Sequence, residues 1–121
     1  MKPYKSLLVA LLVFSPVLVL AAGFVPADIL KIQTVSDPSF SPDGQTLVYS
    51  VTVADTNKDE ETSDLWVVPL KGGKSTRLTN TPNSEWQPEF GPDGRTVYFL
   101  SDAGEQGSTQ VWRMRLDGKP E

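Results

Sequence analysis

Short apolar runs separated by turn residues make up most of the chain after residue 35. The runs at 47–51 and 97–100 are rich in β-branched and aromatic residues, which suit a pleated, half-buried strand. Each run follows a Pro-Asp-Gly sequence, at 42–44 and 92–94. Proline presets φ for the first corner of a tight turn, aspartate can bond nearby backbone, and glycine accepts a positive φ. The pattern predicts two β-hairpins.

The hairpins belong to a repeated unit. Residues 36–44 recur as residues 86–94 at an interval of 50, with Pro, Phe, Pro, Asp and Gly matching in place. A second shared stretch centres on Trp66 and Trp112, which are 46 residues apart, so the loop before it is four residues shorter in the second copy. A glycine-containing turn follows each tryptophan stretch, and residues 75–79 have the pattern of a fourth strand. Four short strands in a repeat of this length are typical of a β-propeller blade.

The sequence therefore predicts an all-β fold, an incomplete β-propeller of about two four-stranded antiparallel blades. We expect blade one over residues 35–80 and blade two over residues 81–121, with blade two cut before its last strand. Residues 26–32 predict a short helix within a lead-in over residues 23–34, because proline suits a first helical turn and Asp28 favours the positive helix end. A β-sandwich is the alternative architecture, and the tandem repeat favours the propeller.

Two blades are too few to close a propeller ring, since known propellers have about four to eight. An open array leaves unpaired strand edges and half-covered apolar faces. We therefore expect the chain to be a fragment of a longer protein, and expect the 121-residue chain made alone to fold poorly or aggregate.

Residues 1–22 have the layout of a secretory signal peptide. Lys2 and Lys5 precede an apolar stretch, which ends in small residues at Ala21 and Ala22, as export signals do. The apolar run is about 15 residues, short for a membrane span of roughly 20. An uncleaved N-terminal anchor is the alternative. We expect the chain to be exported, periplasmic or extracellular, with no stable membrane span after signal removal.

Composition limits the chemistry of this chain. It has no His and no Cys, which excludes a Ser-His-Asp triad, a Cys nucleophile and a Cys/His metal site. The formal net charge is −4, and loss of Lys2 and Lys5 with the signal would lower it to −6. An acidic chain attracts phosphate backbones poorly, so we do not expect nucleic acid as a partner. We predict no catalytic residues, no cofactor and no metal in this chain.

Two sets of acidic residues could suggest a site, and both have a plainer interpretation. Asp43 and Asp93 could be a carboxylate pair for acid–base chemistry, but they are equivalent turn positions of separate blades. The acidic loop has the alternating spacing of a calcium loop, yet it lacks the glycine and the final glutamate that such loops need. The residues of that comparison are Asp55, Asn57, Asp59, Glu60 and Trp66.

Aromatic and basic side chains are interpreted in the same structural way. We predict core or inter-blade packing for Trp66 and Trp112, and a position more open to binding for Trp86. The residues predicted to lie in the core are Tyr49, Tyr98 and Phe99. The residues predicted to form a solvated basic group at a turn are Lys71, Lys74 and Arg77.

These motifs together resemble the N-terminus of exported bacterial serine peptidases of the prolyl oligopeptidase family, in the acylaminoacyl-peptidase and dipeptidyl-aminopeptidase-like branch. The segments that carry the resemblance are residues 27–32, 35–38, 41–44, 47–49 and 77–79. The resemblance implies a propeller that gates and scaffolds a missing C-terminal α/β-hydrolase domain with a Ser, Asp and His triad, acting on short peptides. No triad residue maps onto this chain, so we expect it to be inactive alone.

Two details of the resemblance and two other functions stay open. Gly91 replaces the serine of the turn motif, and Glu60-Glu61 is similar to the acidic pair with which some dipeptidyl peptidases hold a substrate amino terminus, although here it lies in the first blade. A periplasmic binding propeller of the Tol type, with protein partners, is the main alternative function. A lyase or dehydrogenase propeller with its active site in the central channel is a weaker one.

Overall fold

A computed structural model describes residue 23, residues 25–56 and residues 59–117 of the chain. The predicted signal peptide lies outside these residues. The described part contains seven strands and two short 3-10 helices, named here in chain order. They are η1 Pro26–Lys31, β1 Gln33–Phe40, β2 Thr46–Asp55, β3 Glu60–Pro69, β4 Thr76–Arg77, β5 Glu85–Phe90, β6 Thr96–Ser101, η2 Glu105–Gly107 and β7 Gln110–Arg115.

The strands form two antiparallel sheets that follow chain order. Blade one is the sheet β1-β2-β3-β4, and blade two is the sheet β5-β6-β7. The prediction of an all-β, propeller-like fold is confirmed. The predicted lead-in helix is present as η1, where the Val25 N–H donates to Asp28 Oδ2 over 3.0 Å and Lys31 Nζ donates to Asp28 Oδ1 over 2.7 Å.

Both Pro-Asp-Gly sequences make the first turn of their blade. In blade one the Ser41 N–H donates to the Thr46 carbonyl over 2.9 Å, and Gly44 has φ +66°. In blade two the Gly91 N–H donates to the Thr96 carbonyl over 2.7 Å, and Gly94 also has φ +66°. Glycine adopts this left-handed conformation without the Cβ clash that other residues meet, so the same residue recurs at both turns.

The first strand of each blade carries a β-bulge at the same repeat position. The register with the second strand shifts between Ser36 and Ser39 in blade one, and between Trp86 and Glu89 in blade two. Asp37 has φ +52° within the first bulge, and Gln87 has φ +50° within the second. A bulge adds one residue to a strand and bends it. The β-bulge therefore recurs at the same repeat position in both blades, as the turns and strands do.

The hydrophobic core lies between the two blades. Val48 and Leu65 of blade one face Val97, Phe99 and Met114 of blade two, and all five are 0–3% exposed. Full burial of such a side chain contributes about 1.5–3 kcal/mol. The packing of blade against blade thus supplies the main apolar stabilisation of the described residues.

The prediction of three core aromatics is right for Phe99, which is 3% exposed, and wrong for Tyr98, which is 41% exposed. Successive side chains of a strand point to opposite faces. Because Val97 and Phe99 point towards blade one, Tyr98 points away from it. Tyr49 is partly buried, on the face of blade one that blade two does not cover.

Candidate functional site at the interface between the blades

In the described residues, hydrogen bonds link blade one to blade two and to the connection that leads into it. The Ser39 hydroxyl donates to Glu89 Oε2 over 3.0 Å, and the Phe90 N–H donates to Ser39 Oγ over 3.2 Å. Elsewhere along the interface the Ser63 N–H donates to Ser84 Oγ over 3.3 Å. Ser39 and Glu89 occupy equivalent positions of the repeat. The hydroxyl at this position in blade one therefore donates to the carboxylate at the same position in blade two.

A buried carboxylate fixes the outer strand of blade one. Asp64 is 5% exposed and accepts hydrogen bonds from Arg77 Nη2 and, over 3.4 Å, from the Thr79 hydroxyl. Thr79 Oγ1 in turn accepts the Leu65 N–H over 2.9 Å. Arg77 is exposed, in line with its interpretation as a solvated charge, and it also pairs with Asp64, which that interpretation did not include. Lys71 and Lys74 are exposed.

Glu85 is the most unusual ionisable residue of the interface. It begins β5 and is 2% exposed. Its Oε1 accepts from the Thr81 hydroxyl over 2.6 Å and from the Ser101 hydroxyl over 3.4 Å, whereas its Oε2 has no hydrogen-bond partner among the described residues. Burial raises the pKa of the Glu85 carboxyl and outweighs the hydrogen bonds from Thr81, Thr79 and Ser101, which lower it; the negative charge of Asp64 acts in the same direction as burial.

A cavity of about 210 Å³ adjoins Glu85. The rings of Phe99 and Trp112 form part of its wall, and the indole Nε1 of Trp112 is likewise buried without a hydrogen-bond partner in the described part of the chain. The remaining wall residues are Thr79, Thr81, Ser101 and Ala103. The cavity therefore joins an apolar wall to two polar groups that lack full hydrogen bonding.

Sequence reasoning did not single out Glu85, although one signal was available. Glu85 occupies the repeat position of Val35 in blade one. An acidic residue at the position of an apolar one in an otherwise well-matched repeat indicates a changed local role. Asp64 gave no such signal, because its counterpart Gln110 is also polar.

Asp43 and Asp93 do not form a pair, because each accepts hydrogen bonds within its own turn. Asp43 Oδ1 accepts from the Ser41 hydroxyl over 2.6 Å and from the Gln45 N–H over 3.0 Å. These bonds, that from Ser41 first, lower the pKa of the Asp43 carboxyl. Asp93 is held by Thr96, whose hydroxyl and N–H donate over 2.7 and 2.9 Å, and these bonds lower its pKa to about 2.

Gly91 explains why the two turns bond differently. In blade one the Ser41 hydroxyl mediates between Asp43 and the Thr46 N–H, which donates to it over 3.0 Å. Gly91 has no hydroxyl, so Asp93 bonds Thr96 directly. A Cβ at Gly91 would also lie 3.1 Å from the ring of Tyr98, a tight contact. The glycine in place of serine at position 91 thus goes together with a different set of side-chain hydrogen bonds in the second turn.

The acidic loop lies at the far end of the β2–β3 hairpin. Asp55 is paired with Glu60 across the hairpin, Asp59 has φ +55°, and Glu61 is exposed. Asn57, part of the calcium-loop comparison, lies outside the described residues. Within residues 23, 25–56 and 59–117, no group of three or more acidic side chains is placed to hold a metal ion.

The three tryptophans occupy different surroundings. Trp112 is paired with Phe99 across β6 and β7 and packs against the core, as predicted. Trp66 is paired with Tyr49 on the face of blade one that blade two does not cover. Trp86 is half-buried on β5 opposite Leu100.

Blade one exposes an apolar surface that has a covered counterpart in blade two. We call this surface the leading face; Leu47, Tyr49 and Val68 line its groove of about 390 Å³, and Val35 beside them is 66% exposed. The repeat equivalents of the three groove residues in blade two are Val97, Phe99 and Met114, which are buried against blade one. The leading face thus has the composition of a surface that another blade covers.

Comparison with known proteins identifies the family. The family description "TolB beta propeller domain" matches residues 29–120. The uncharacterized peptidase YuxL of Bacillus subtilis is 35% identical over 75% of this chain and 14% of its own length. Dipeptidyl-peptidase 5 of Porphyromonas gingivalis is 32% identical over 91% of this chain and 17% of its own length. The chain therefore spans about a sixth of these relatives.

Solved structures agree in fold. The acylaminoacyl peptidase of Pyrococcus horikoshii has a TM-score of 0.63 at 19% identity, covering 76% of this chain and 14% of its own. A TolB structure from Agrobacterium tumefaciens has a TM-score of 0.56 at 29% identity, covering 73% of this chain and 29% of its own. The predicted resemblance to peptidase propellers is confirmed by the peptidase relatives. Neither of the short helices in the part of the chain that the structure describes has the length and apolar character of a membrane-spanning segment. The chain belongs to the TolB beta propeller domain family.

Proposed function

We propose that this chain is the first segment of a β-propeller that scaffolds and gates a C-terminal α/β-hydrolase domain in an exported serine-type peptidase acting on short peptides. The similarity to proteins named as peptidases, over as much as 91% of the chain, is the observation that carries the proposal. The exposed leading face supports it, because further blades would cover that surface in a longer propeller.

The catalytic part of the proposal is tested on the longer gene product. Translation beyond residue 121 should yield a Gly-x-Ser-x-Gly elbow followed by Asp and His. A fluorophosphonate probe should then label the full-length protein once, at that serine. Absence of labelling in a folded full-length protein would contradict the peptidase.

Gating is tested by loosening the blade interface. Leu65→Ala in the full-length protein removes a fully buried side chain between the blades. If the propeller restricts entry, this change should raise kcat/KM for long peptides relative to dipeptide substrates, while Gln45→Ala at an exposed turn leaves the ratio unchanged. An unaltered ratio in a folded Leu65→Ala protein would contradict gating.

A binding propeller of the Tol type is the second candidate. It is favoured by the family description and by the 29% identity to the TolB structure. In that case the gene would end after about six blades, the probe would not react, and affinity capture from periplasmic extract would return a defined protein partner.

A further inference from the structure

We propose that Glu85 is a proton-dependent latch, in which the neutral carboxylic acid fastens the connection between β4 and β5 to blade two and the ionised form releases it. The connection, residues 78–84, carries the chain from the outer strand of blade one to the first strand of blade two. Its attachment therefore controls how firmly the two blades are joined.

The geometry around Glu85 accommodates a neutral acid. Thr81 Oγ1 lies 2.6 Å from Glu85 Oε1, a separation that suits a hydrogen bond in either direction. The Thr81 hydroxyl also has a second acceptor, the Asn83 carbonyl at 3.4 Å. When Glu85 carries a proton it can donate to Thr81, and the hydroxyl proton of Thr81 turns to Asn83. No heavy atom has to move.

The same geometry is unfavourable for the carboxylate. Ionised Glu85 has four lone-pair positions to satisfy, and its Oε2 has no donor in the described residues. A buried polar group without a partner destabilises the folded state, and a charged group does so more strongly. Movement of the connection would relieve that cost by admitting water through the adjoining cavity, which the rings of Phe99 and Trp112 keep apolar.

The other charged groups nearby do not neutralise Glu85. Asp64 of β3 faces it and repels its negative charge. Arg77 of β4 is engaged by Asp64. Asp102, which follows β6, accepts the N–H of Ser84, next to Glu85, over 2.8 Å. The surrounding charge therefore favours the protonated form, in agreement with the effect of burial.

Hydrogen exchange of the full-length protein tests the latch. The Asn83 amide reports on it, since this N–H donates to Thr81 Oγ1 over 3.1 Å. After correction for intrinsic exchange, protection of residues 79–85 should fall as pH rises through the range in which Glu85 loses its proton. The loss should be about tenfold for each unit by which its folded pKa exceeds the unfolded one.

Substitutions separate Glu85 from other carboxyls. Glu85→Gln should make the protection independent of pH, and Glu105→Gln, at an exposed carboxyl of η2, should leave the wild-type profile unchanged. If Glu85→Gln does not fold, Ser101→Ala serves instead: it removes the Ser101 hydroxyl that donates to Glu85 Oε1, leaves the Thr81 hydroxyl in place, and should move the transition to higher pH. A pH-independent wild type, a pH-dependent Glu85→Gln protein, or an unshifted Ser101→Ala transition would overturn the proposal.

Discussion

Asp93 and Glu85 are carboxylates of the same blade whose surroundings differ in the number of donors. Asp93 is exposed and accepts from the N–H of Arg95 as well as from the N–H and hydroxyl of Thr96. Glu85 is buried and has one oxygen without a partner in the described residues. Hydrogen bonds to a charged form lower the pKa of an acid, and burial raises it. Folding therefore shifts the pKa values of the two carboxyls in opposite directions, and their contributions to stability change oppositely with pH.

Asp93→Asn should reduce the acid sensitivity of the protein. The pKa of Asp93 is lowered from 3.8 to about 2 by folding, so its contribution to stability is complete above the unfolded value and is lost as pH falls between the two. Unfolding by urea at a series of pH values should show a shallower decline over that range for Asp93→Asn. Asp117→Asn, at an exposed carboxylate beside Arg115, is the control. Equal slopes for wild type and Asp93→Asn would contradict the expectation.

Leu65→Ala should destabilise a propeller that contains these blades by about 2–5 kcal/mol, the usual range for deleting a buried leucine side chain. Leu65 is 0% exposed and lies in the core between the blades. Gln45→Ala, at an exposed turn position, should change stability by less than about 0.5 kcal/mol. Denaturant unfolding of full-length proteins measures both, and similar midpoints would mean that the interface is not the main apolar contact.

At the scale of the element, the turn is the unit that the two blades share most exactly. Gly44 and Gly94 adopt the same φ of +66°, and each N–H donates to the carbonyl three residues earlier, over 2.8 and 3.0 Å. The aspartate between proline and glycine bonds the Ser41 hydroxyl in blade one, and both the hydroxyl and the N–H of Thr96 in blade two. The backbone of the turn is therefore set by proline and glycine, and the side-chain bonds adapt to it.

Gly44→Ala should destabilise the protein by roughly 1–2 kcal/mol, because a Cβ at positive φ approaches its own backbone. A Cβ at Gly44 would meet no other atom within 4 Å, so backbone strain alone is measured. Gly44→Asn should cost less, since asparagine tolerates this conformation. Thermal unfolding of the three proteins gives the order, and an alanine variant as stable as wild type would show that the turn adopts another conformation.

The elements that sequence predicts well here are those determined locally. The turns, the strands that follow them and the short helix η1 all depend on residues within a few positions of each other. The side of the sheet to which Tyr98 points, the pairing of Arg77 with Asp64 and the burial of Glu85 depend on residues brought together from different strands. A repeat shows which residues are equivalent, but each blade has a different neighbour on each side, so equivalent residues need not be equally buried.

At the scale of the whole molecule, both outer surfaces of the blade pair are apolar in part. Val35 on the leading face is 66% exposed, and Val111 on the outward face of blade two is 71% exposed. Ile29 and Leu30 on η1, and Ile32 directly after it, are each more than half exposed. Exposed apolar patches of this kind mark interaction surfaces or promote aggregation.

The 121-residue chain produced alone should therefore aggregate or melt without cooperativity. Val35→Lys combined with Val111→Lys should raise the soluble fraction of the isolated chain, yet lower the stability of a longer propeller in which other blades cover these positions. Analytical ultracentrifugation and calorimetry measure the two effects. A soluble monomer of the unmodified chain with a sharp cooperative melt would contradict this account.

The unequal spacing of the repeat has a practical consequence. The turns recur after 50 residues and the tryptophans after 46, while β2 and β3 remain paired from Thr46↔Pro69 to Asp55↔Glu60 and the core stays intact. The four-residue difference in length between the two blades therefore lies at the end of the hairpin that joins the second and third strands, and it leaves the strand pairing intact. That end, between Asp55 and Glu60, is the position where an epitope tag or a fluorophore could be inserted to follow the propeller in a living cell.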